Sequence, residues 1–280
     1  MSFDLHTHTV FSDGTTSPED NAAMAASAGL AGLAATDHDT TAGWERAAEA
    51  CEHHGIELVP GLELSTELGE RGVHLLAYWV DGDDPAMTAE LERLRGERAR
   101  RAAAMVAKLQ ALGIDVALDR VHALAGTAPL GRPHVAAALV EAGAVADHAT
   151  AFDLWLADGG PAYEPKAALS PEAGVRLIVR TGGVAVLAHP GLATREAGTD
   201  LALLDRLVVE GLAGIESDHV GHDEVVAAYW RRAADERGLL STGGSDFHGG
   251  RKDSEIGART TPREVVDALH ARRRQEVGSW

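Results

Sequence analysis

The 280-residue sequence contains a single cysteine, Cys51, so no disulfide can form within the chain. A zinc site built from several thiolates is excluded for the same reason. Cys51 lies in an Ala-rich stretch with a helical pattern, which favours a packed or partly exposed helix residue over a nucleophile. Any metal or catalytic site must therefore be built from other side chains.

Long apolar runs are also missing. No segment approaches the roughly 18 apolar residues that a helix needs to span a bilayer, although 45% of the residues are hydrophobic. The first residues lack a basic, apolar leader, so we expect a cytoplasmic protein without membrane association. A chain of this length can bury a large core, either as one barrel-sized domain or as one domain with an insertion.

Basic side chains are few relative to acidic ones. The chain has 25 lysines and arginines against 43 aspartates and glutamates, which gives a formal net charge of −18. Such a surface repels duplex nucleic acid, whose partners usually present a basic face. Bound divalent ions would offset part of this charge locally. The composition thus argues against a duplex-binding protein but is compatible with a small anionic phosphate ester as substrate.

Three familiar catalytic motifs are absent from the sequence: a Gly-x-Ser-x-Gly elbow, a P-loop, and a dinucleotide fingerprint in its proper context. The sequence has instead several polar clusters, most of them at the ends of apolar, strand-like runs. In His6-Thr7-His8, residues i and i+2 of an extended segment point the same way, so two imidazoles can hold one ion. Asp13 follows five residues later. The further clusters are Asp37-His38-Asp39, Glu63, His74, His189-Pro190 and Asp246-Phe247-His248.

Strand-like and helical patterns alternate up to about residue 80 and again after about residue 168. Helices are predicted over 18–28, 43–54, 170–182, 200–210, 223–237 and 262–274. Alternation with short loops predicts a parallel sheet covered by helices, and polar clusters at strand ends suit a barrel better than an open sheet. Residues 86–166 have a helical pattern that begins with a long helix over 86–112. We therefore predict a barrel domain over 1–85 and 167–280, with a helical insertion domain over 86–166 above the barrel mouth.

Six motifs, in order along the chain, resemble those of the PHP family, the polymerase and histidinol phosphatase superfamily of metal phosphoesterases. The motifs are His6-Thr7-His8 with Ser12-Asp13-Gly14, Thr36-Asp37-His38-Asp39-Thr40, Pro60-Gly61-Leu62-Glu63, Val73-His74-Leu75-Leu76, Ala188-His189-Pro190 and Gly244-Ser245-Asp246-Phe247-His248-Gly249. They extend from residue 3 to about residue 250 and so cover the barrel nearly end to end. The resemblance implies an α/β fold, a distorted (β/α)7 TIM-like barrel, with two or three divalent ions at the carboxyl ends of the strands.

The resemblance also implies a ligand set. His6 and His8 would hold a first ion with Asp246, and Glu63 would bridge it to a neighbour. Asp13, His38 and His248 would hold a second ion, and His74 and His189 would complete a third. Asp13, His38, Glu63, His189 and Asp246 are accordingly the predicted catalytic residues. The acidic neighbours Asp4, Asp37 and Asp39 could orient ligand imidazoles, or they could cap backbone groups or face solvent.

The implied chemistry is attack on phosphorus by a metal-activated hydroxide, while the ions stabilise charge on the attacking and leaving oxygens. Mn²⁺ is the expected ion. Zn²⁺ and Fe²⁺ are alternatives because nitrogen and oxygen ligands suit all three.

The motif Gly131-Arg132-Pro133-His134 resembles the stand-alone PHP phosphoesterases. Members of that branch remove the 3′-phosphate from nucleoside 3′,5′-bisphosphates or trim short oligonucleotides from the 5′ end. Arg132 and His134 would then bind a substrate phosphate, for which a bidentate Arg is well suited. Alternatively, Arg132 pairs with an acid and His134 begins a helix. Lys166 and His219 are further candidate substrate-binding residues.

Three other functions are compatible with the sequence. The first is a phosphatase acting on histidinol phosphate or another small monoester. The second is a C–N hydrolase, because metal-bearing (β/α) barrels also cleave amides and the fold does not determine the bond that is cleaved. The third is a non-catalytic, metal-stabilised module that binds a partner. The leading prediction is a phosphoric ester hydrolase acting on a small anionic nucleotide, with short single-stranded oligonucleotides as a second substrate class.

Overall fold

The computed structural model describes residues 1–69, 71–126, 130–157, 159–165, 168–193 and 201–273. The strands of this part of the chain form one sheet. They are β1 (Ser2–Thr7), β2 (Gly32–Ala35), β3 (Glu57–Leu68), β4 (Arg71–Tyr78), β5 (Val184–Leu187), β6 (Gly214–His219), β7 (Leu240–Gly244) and β8 (Thr261–Pro262). Their spatial order is β7-β6-β5-β4-β3-β2-β1-β8.

The sheet curls until β7 approaches β1. Thr7 forms a parallel bridge with Phe247, just beyond β7, and the His8 N–H donates to the Phe247 carbonyl at 2.8 Å. At the opposite end of β1, the short strand β8 fills the remaining gap. Thr261 pairs there with β1, and its hydroxyl exchanges hydrogen bonds of 2.8 Å with the backbone of Gly243. The predicted TIM-like α/β barrel is confirmed.

The sheet departs from the prediction at β4. The other long strands pair in parallel, as predicted, but β4 is antiparallel to both β3 and β5. Only residues 69 and 70 separate β3 from β4, and so short a connection can join adjacent strands only in antiparallel fashion. The prediction of a uniformly parallel sheet was wrong here because no helix follows β3.

Helices surround the barrel. They are α1 (Pro18–Ser27), α2 (Trp44–His54), α3 (Pro85–Ala111), α4 (Leu118–Ala125), α5 (Arg132–Glu141), α6 (His148–Ala151), α7 (Pro171–Arg180), α8 (Pro190–Ala193), α9 (Leu201–Val209), α10 (Glu224–Asp235) and α11 (Arg263–Ala271). Those from α3 onward follow β4 in sequence. The ends of α1, α2, α3, α7, α9, α10 and α11 lie within a few residues of the predicted bounds. No bounds were predicted for α4, α5, α6 and α8. Ser17 caps α1 by accepting from the Asp20 N–H at 3.1 Å, and Ser170 caps α7 by accepting from the Ala173 N–H at 3.3 Å. No helix in this described part of the chain is long and apolar enough to cross a membrane.

Side chains of β3 and β4 alternate between two layers of the barrel. Leu64 and Leu75 face outward and belong to the core beneath α3 and α7. Tyr78 faces inward, with the apolar side chains that fill the barrel interior. Register partners across an antiparallel pair project to the same side. Glu63 is opposite the inward-facing Leu76, so its carboxylate lies on the inner face. His74 precedes Leu76 by two residues and therefore shares this inner face.

The long helix α3 belongs to two hydrophobic clusters. Its first half contributes Met87 and Leu94 to the core outside the barrel. Its second half contributes Met105 and Leu109 to a separate cluster with residues of α4 and α5. One continuous helix therefore fixes the position of α4 and α5 relative to the barrel. The division into a barrel domain (1–85 and 167–280) and an insertion domain (86–166) stays a prediction.

We predict that the Tyr78 hydroxyl stabilises the barrel interior. It is buried and donates to the Leu5 carbonyl of β1 at 2.8 Å. Tyr78→Phe should lower the free energy of unfolding by about 1–2 kcal/mol, because a buried carbonyl loses a partner. The matched control is Tyr229→Phe, since the buried Tyr229 hydroxyl has no hydrogen-bond partner among the described residues.

Urea denaturation of the metal-free protein measures both variants. The control should change the free energy of unfolding by less than about 0.5 kcal/mol. Equal losses in the two variants would show that the Tyr78 hydrogen bond contributes nothing specific.

Candidate metal centre

Glu63, in β3, lies at the centre of the site and is 1% exposed. Its Oε2 atom lies 3.1 Å from Nε2 of His6 and 3.1 Å from Nε2 of His8. The same oxygen lies 3.2 Å from Nδ1 of His38, which follows β2. Three imidazoles from two neighbouring strands therefore surround one carboxylate oxygen.

The other oxygen of Glu63 faces two further imidazoles. Oε1 lies 2.6 Å from Nδ1 of His74 in β4 and 3.0 Å from Nε2 of His189 after β5. Because β4 runs antiparallel to β3, His74 reaches this oxygen from the middle of its strand. Each oxygen of Glu63 therefore faces imidazole nitrogens, as the predicted bridging role requires.

Asp246 and Asp13 complete the carboxylate set. Oδ1 of Asp246 lies 3.5 Å from Nε2 of His6 and 3.3 Å from Nε2 of His8. Oδ1 of Asp13 lies 3.2 Å from Nε2 of His248. Each carboxylate therefore faces imidazoles from a different segment of the chain.

Three groups of these residues could each hold an ion, with candidate ligand atoms within 4.8 Å of one another. The groups are His6, His8, Glu63 and Asp246; His8, Asp13, His38 and His248; and His38, Glu63 and His74. The structure brings all nine predicted ligands together, because His189 lies beside Glu63 as well. In the third group, however, His74 is combined with His38 and not with His189. The assignment of ligands to individual ions stays a prediction.

Two buried ring nitrogens support metal binding. Nε2 of His8 and Nδ1 of His38 have no hydrogen-bond partner in the described part of the chain, although Glu63 is close to both. The short distances occur without hydrogen-bond alignment, so each nitrogen is available as a ligand. Imidazole and carboxylate donors are those that divalent transition metals prefer. The residues present therefore fit the ions that the sequence predicts.

The electrostatics of the cluster hold its carboxylates in the ligand form. Burial would raise the pKa of Glu63, but the imidazoles of His38, His74 and His6 hold that pKa well below its usual value. Burial lowers the pKa of His38 to about 3. Burial would also lower the pKa of His6, but Glu216, Glu63 and other carboxylates raise it well above its usual value.

Backbone strain is concentrated at this site. Among the described non-glycine residues, positive φ angles occur at Asp39 (52°), Trp79 (53°), His189 (26°) and Asp246 (49°). Such conformations cost about 1–3 kcal/mol each and persist where surrounding contacts fix them. Two of these residues are predicted ligands, and Asp39 immediately follows His38.

Glu216 is a site residue that the sequence analysis missed. It lies on the inner face of β6 and is fully buried. Oε1 lies 2.9 Å from Nδ1 of His6, and Oε2 accepts from the His189 N–H at 2.9 Å. The carboxylate thus holds the His6 proton on Nδ1, leaves Nε2 for a metal, and fixes the strained backbone of His189. The signal in the sequence was an acid within the apolar strand run that precedes His219.

Lys252 was also missed. Its ammonium group and Nε2 of His219, the latter at 3.2 Å, both contact Oδ2 of Asp246. These two contacts leave Oδ1 of Asp246 directed at His6 and His8. His219, predicted to bind substrate, is buried against this ligand carboxylate.

The three acidic neighbours hold loops in place. Asp4 accepts from the N–H groups of Ser245 and Gly257 at 2.9 and 2.8 Å, and burial raises its pKa to about 6. Asp37 accepts from the N–H and hydroxyl of Thr9. These contacts correspond to the predicted alternative in which the acidic neighbours cap backbone groups. The carboxylate that contacts the imidazole of the predicted ligand His6 is that of Glu216.

Asp39 makes contacts of the same kind. It accepts from the Ser65 N–H at 2.7 Å and from Nε of Arg98 at 2.8 Å. The carboxylate thereby connects the loop after β2 with β3 and α3.

A cavity of about 220 Å³ opens beside the metal centre. Barrel residues Asp13, His38 and His74 line one side. The other side is lined by four side chains of the helical segment: Arg98, Arg101, Arg132 and His134. We call this space the cationic cavity.

The side chains of the predicted substrate-binding residues Arg132 and His134 both line the cationic cavity but make different contacts. Arg132 donates to the Leu156 carbonyl at 3.1 Å, and its guanidinium lies 5.7 Å from the centre of the Phe152 ring. His134 is buried near the start of α5, and its Nδ1 accepts from the Gly131 N–H at 3.1 Å. Burial lowers the pKa of His134 to about 4, so it is neutral. Lys166 lies outside the described residues.

Comparison with known proteins identifies close relatives. The family model of the PHP domain matches residues 4–126. The chain is 36% identical over 250 residues to a 3′,5′-nucleoside bisphosphate phosphatase of Chromobacterium violaceum, covering 88% of this chain and 86% of the relative. It is 34% identical over 246 residues to a 5′-3′ exoribonuclease of Haemophilus influenzae, covering 88% and 89%. A solved structure from Bifidobacterium adolescentis, described as a metal-dependent phosphoesterase, superposes with a TM-score of 0.90 at 33% identity, covering 99% and 98% of the two chains.

We predict that Glu216→Gln weakens metal binding while the fold is retained. The amide still accepts from the His189 N–H but lacks the charge that orients His6. Loss of a residue that orients a metal ligand typically lowers metal affinity by about 10–100-fold. Titration calorimetry with Mn²⁺ measures the change. Glu52→Gln, at an exposed position of α2, is the control and should bind as the original chain does. Equal affinities of all three proteins would refute the role of Glu216.

Proposed function

The chain belongs to the PHP family of metal-dependent phosphoric ester hydrolases, and from that premise we propose that it removes the 3′-phosphate from nucleoside 3′,5′-bisphosphates. Short oligonucleotides with a 5′-phosphate are the second substrate class. Two or three divalent ions, with Mn²⁺ as the first choice, would be held by the nine predicted ligands.

The observation that carries this proposal is a pair of guanidinium groups facing the metal centre. Arg101 and Arg132 both line the cationic cavity. Burial lowers the pKa of Arg101, and the positive charge of Arg132 lowers it further. A phosphate bound beside both groups would be attracted by both positive charges. A substrate with one phosphate at the metal centre and a second phosphate here satisfies both halves of the site.

Arg98 has a different role in this proposal. Its guanidinium is ion-paired with Asp39, and Nη2 donates to the Ser65 hydroxyl at 3.0 Å. We therefore assign the second phosphate to Arg101 and Arg132. Arg98 supports the cavity wall.

The chain's own residues prepare the site for hydrolysis. Bound divalent ions would supply a water of lowered pKa and positive charge near the phosphate. Glu216 orients His6, and Lys252 with His219 orients Asp246, so the ligand atoms are fixed before substrate arrives. Side chains of α3 and α5 line the cavity beside the predicted ligands. Such prearranged charge lowers the energetic penalty of reorganising the site during the reaction.

A phosphate-release assay tests the proposed function. With Mn²⁺, adenosine 3′,5′-bisphosphate should yield one phosphate and adenosine 5′-monophosphate, and excess EDTA should abolish the reaction. Histidinol phosphate, a short 5′-phosphorylated RNA and a panel of amides are compared under the same conditions.

Each alternative predicts a distinct outcome of this assay. Preferential release from histidinol phosphate would support the small-monoester phosphatase, and amide cleavage would support the C–N hydrolase. No turnover of any compound, with bound metal confirmed by elemental analysis, would support the binding module. Asp246→Asn should lose metal and turnover together, whereas the exposed His53→Ala should lose neither.

We further predict that Arg132→Ala mainly raises KM for the bisphosphate. A hydrogen bond to a charged group contributes about 1.5–3 kcal/mol, so KM should rise roughly 10–150-fold while kcat changes little. Arg120→Ala is the matched control. Arg120 lies nearby in sequence but pairs with Glu141 at the exposed surface. An unchanged KM in Arg132→Ala would exclude Arg132 as a phosphate ligand.

A further inference from the structure

A second cavity, of about 410 Å³, adjoins the metal centre. It shares Arg132 and His74 with the cationic cavity and also reaches His189. Apart from Arg71, the rest of its wall is largely apolar, and we call this space the apolar cavity. The apolar wall includes Leu187, Pro190, Leu192, Leu203 and Trp230. The volume lies within the range of small-molecule sites in proteins.

The apolar cavity has a buried floor and an exposed rim. Leu203 and Trp230 are 3% and 4% exposed, so they form a fixed floor. Leu192, by contrast, is 48% exposed at the rim. A ligand in the cavity would cover this leucine and remove its apolar surface from water.

His222 fixes the rim in position. Its Nδ1 lies 2.8 Å from the Ser217 carbonyl, and its Nε2 accepts from the Gly191 N–H at 3.1 Å. A Cβ atom at residue 191 would lie 2.6 Å from this Nε2, so glycine is needed for the approach. The four-residue helix α8, which carries Leu192, is thereby held against β6. The next helix, α10, begins after His222, at Glu224, with Asp223 as its capping residue.

We propose that the apolar cavity binds the nucleobase of the substrate. This inference rests on the proposed function. His74 and Arg132 border both cavities. A nucleoside bisphosphate with one phosphate beside Glu63 and His74 can therefore place its second phosphate in the cationic cavity and its base in the apolar cavity. The leucine and tryptophan side chains offer contacts that the apolar faces of a base can use and that a phosphate, which would lose hydration against them, cannot.

The cavity wall also predicts the kind of specificity. Contacts with the faces of a ring tolerate any base, because every base has such faces. Purine and pyrimidine substrates should therefore be used with similar efficiency. A sugar bisphosphate without a base should be a poor substrate.

The first test compares phosphate release from adenosine 3′,5′-bisphosphate, cytidine 3′,5′-bisphosphate and the base-free 1-deoxyribose 3,5-bisphosphate. The original chain should use the two nucleotides with kcat/KM values within about threefold of each other. It should prefer them over the base-free compound by about 5–150-fold, the range that contacts with one base provide.

The variant Leu192→Trp places an indole in the cavity. It should reduce the preference for the nucleotides over the base-free compound at least fivefold, because the indole occupies the space that the base would fill. Leu112→Trp, at another exposed leucine near the end of α3, is the control and should keep the full preference. Equal use of nucleotide and base-free substrates by the original chain, or an unchanged preference in Leu192→Trp, would overturn the proposal.

A binding measurement separates this proposal from the proposed function. Calorimetry with the Mn²⁺-loaded protein should show adenosine 5′-monophosphate binding at least fivefold more tightly than ribose 5-phosphate, and Leu192→Trp should remove the difference. Absence of phosphate release with this pattern intact would refute the hydrolysis reaction and retain the base site. Phosphate release with equal binding of the two ligands would refute the base site alone.

Discussion

The site depends on the buried negative charge of Glu63. An isolated carboxylate in a protein interior loses several kcal/mol of hydration energy. Only nearby cations or hydrogen-bond donors can offset this loss. Here five imidazoles lie within 3.2 Å of its two oxygens, and they come from β1, β4 and the ends of β2 and β5. The barrel is the scaffold that brings these segments to one point. Its closure between β7 and β1 adds Asp246 to the same cluster.

A second layer of contacts determines where the ligand atoms point. Glu216 contacts His6 through its ring and His189 through its backbone, so one carboxylate orients two predicted ligands. Lys252 and His219 occupy one oxygen of Asp246 and leave the other for the cluster. The positive φ angles of His189 and Asp246 are therefore sustained by specific partners. Strain of this kind is expected where a side chain must be placed for function and not for packing.

Local signals in the sequence were sufficient to predict a barrel covered by helices. The set of nine clustered residues was predicted from the resemblance of the motifs to the PHP family. Capping serines, terminal glycines and apolar runs ending in His or Asp are visible without knowledge of tertiary contacts. The direction of β4 was missed, since an apolar run such as 73–77 has the same pattern in either orientation. Glu216 was missed because a single acid inside a strand is identified as a partner of His6 only when the strands are brought together. Lys252 and Arg98 were missed because their neighbours in sequence are ordinary charged residues.

Arg98 illustrates why charge alone does not identify a substrate ligand. Three arginines line the cationic cavity, but Arg98 is paired with Asp39, whose backbone is itself strained and lies next to His38. Removal of Arg98 would leave a buried carboxylate without its cation beside a predicted metal ligand, so its loss would disturb the site whatever the substrate. Arg101 and Arg132 line the same cavity, and the positive charge of Arg132 lowers the pKa of Arg101. In a chain of net charge −18, a cluster of arginines beside the predicted metal ligands supports the proposal that a phosphate binds there.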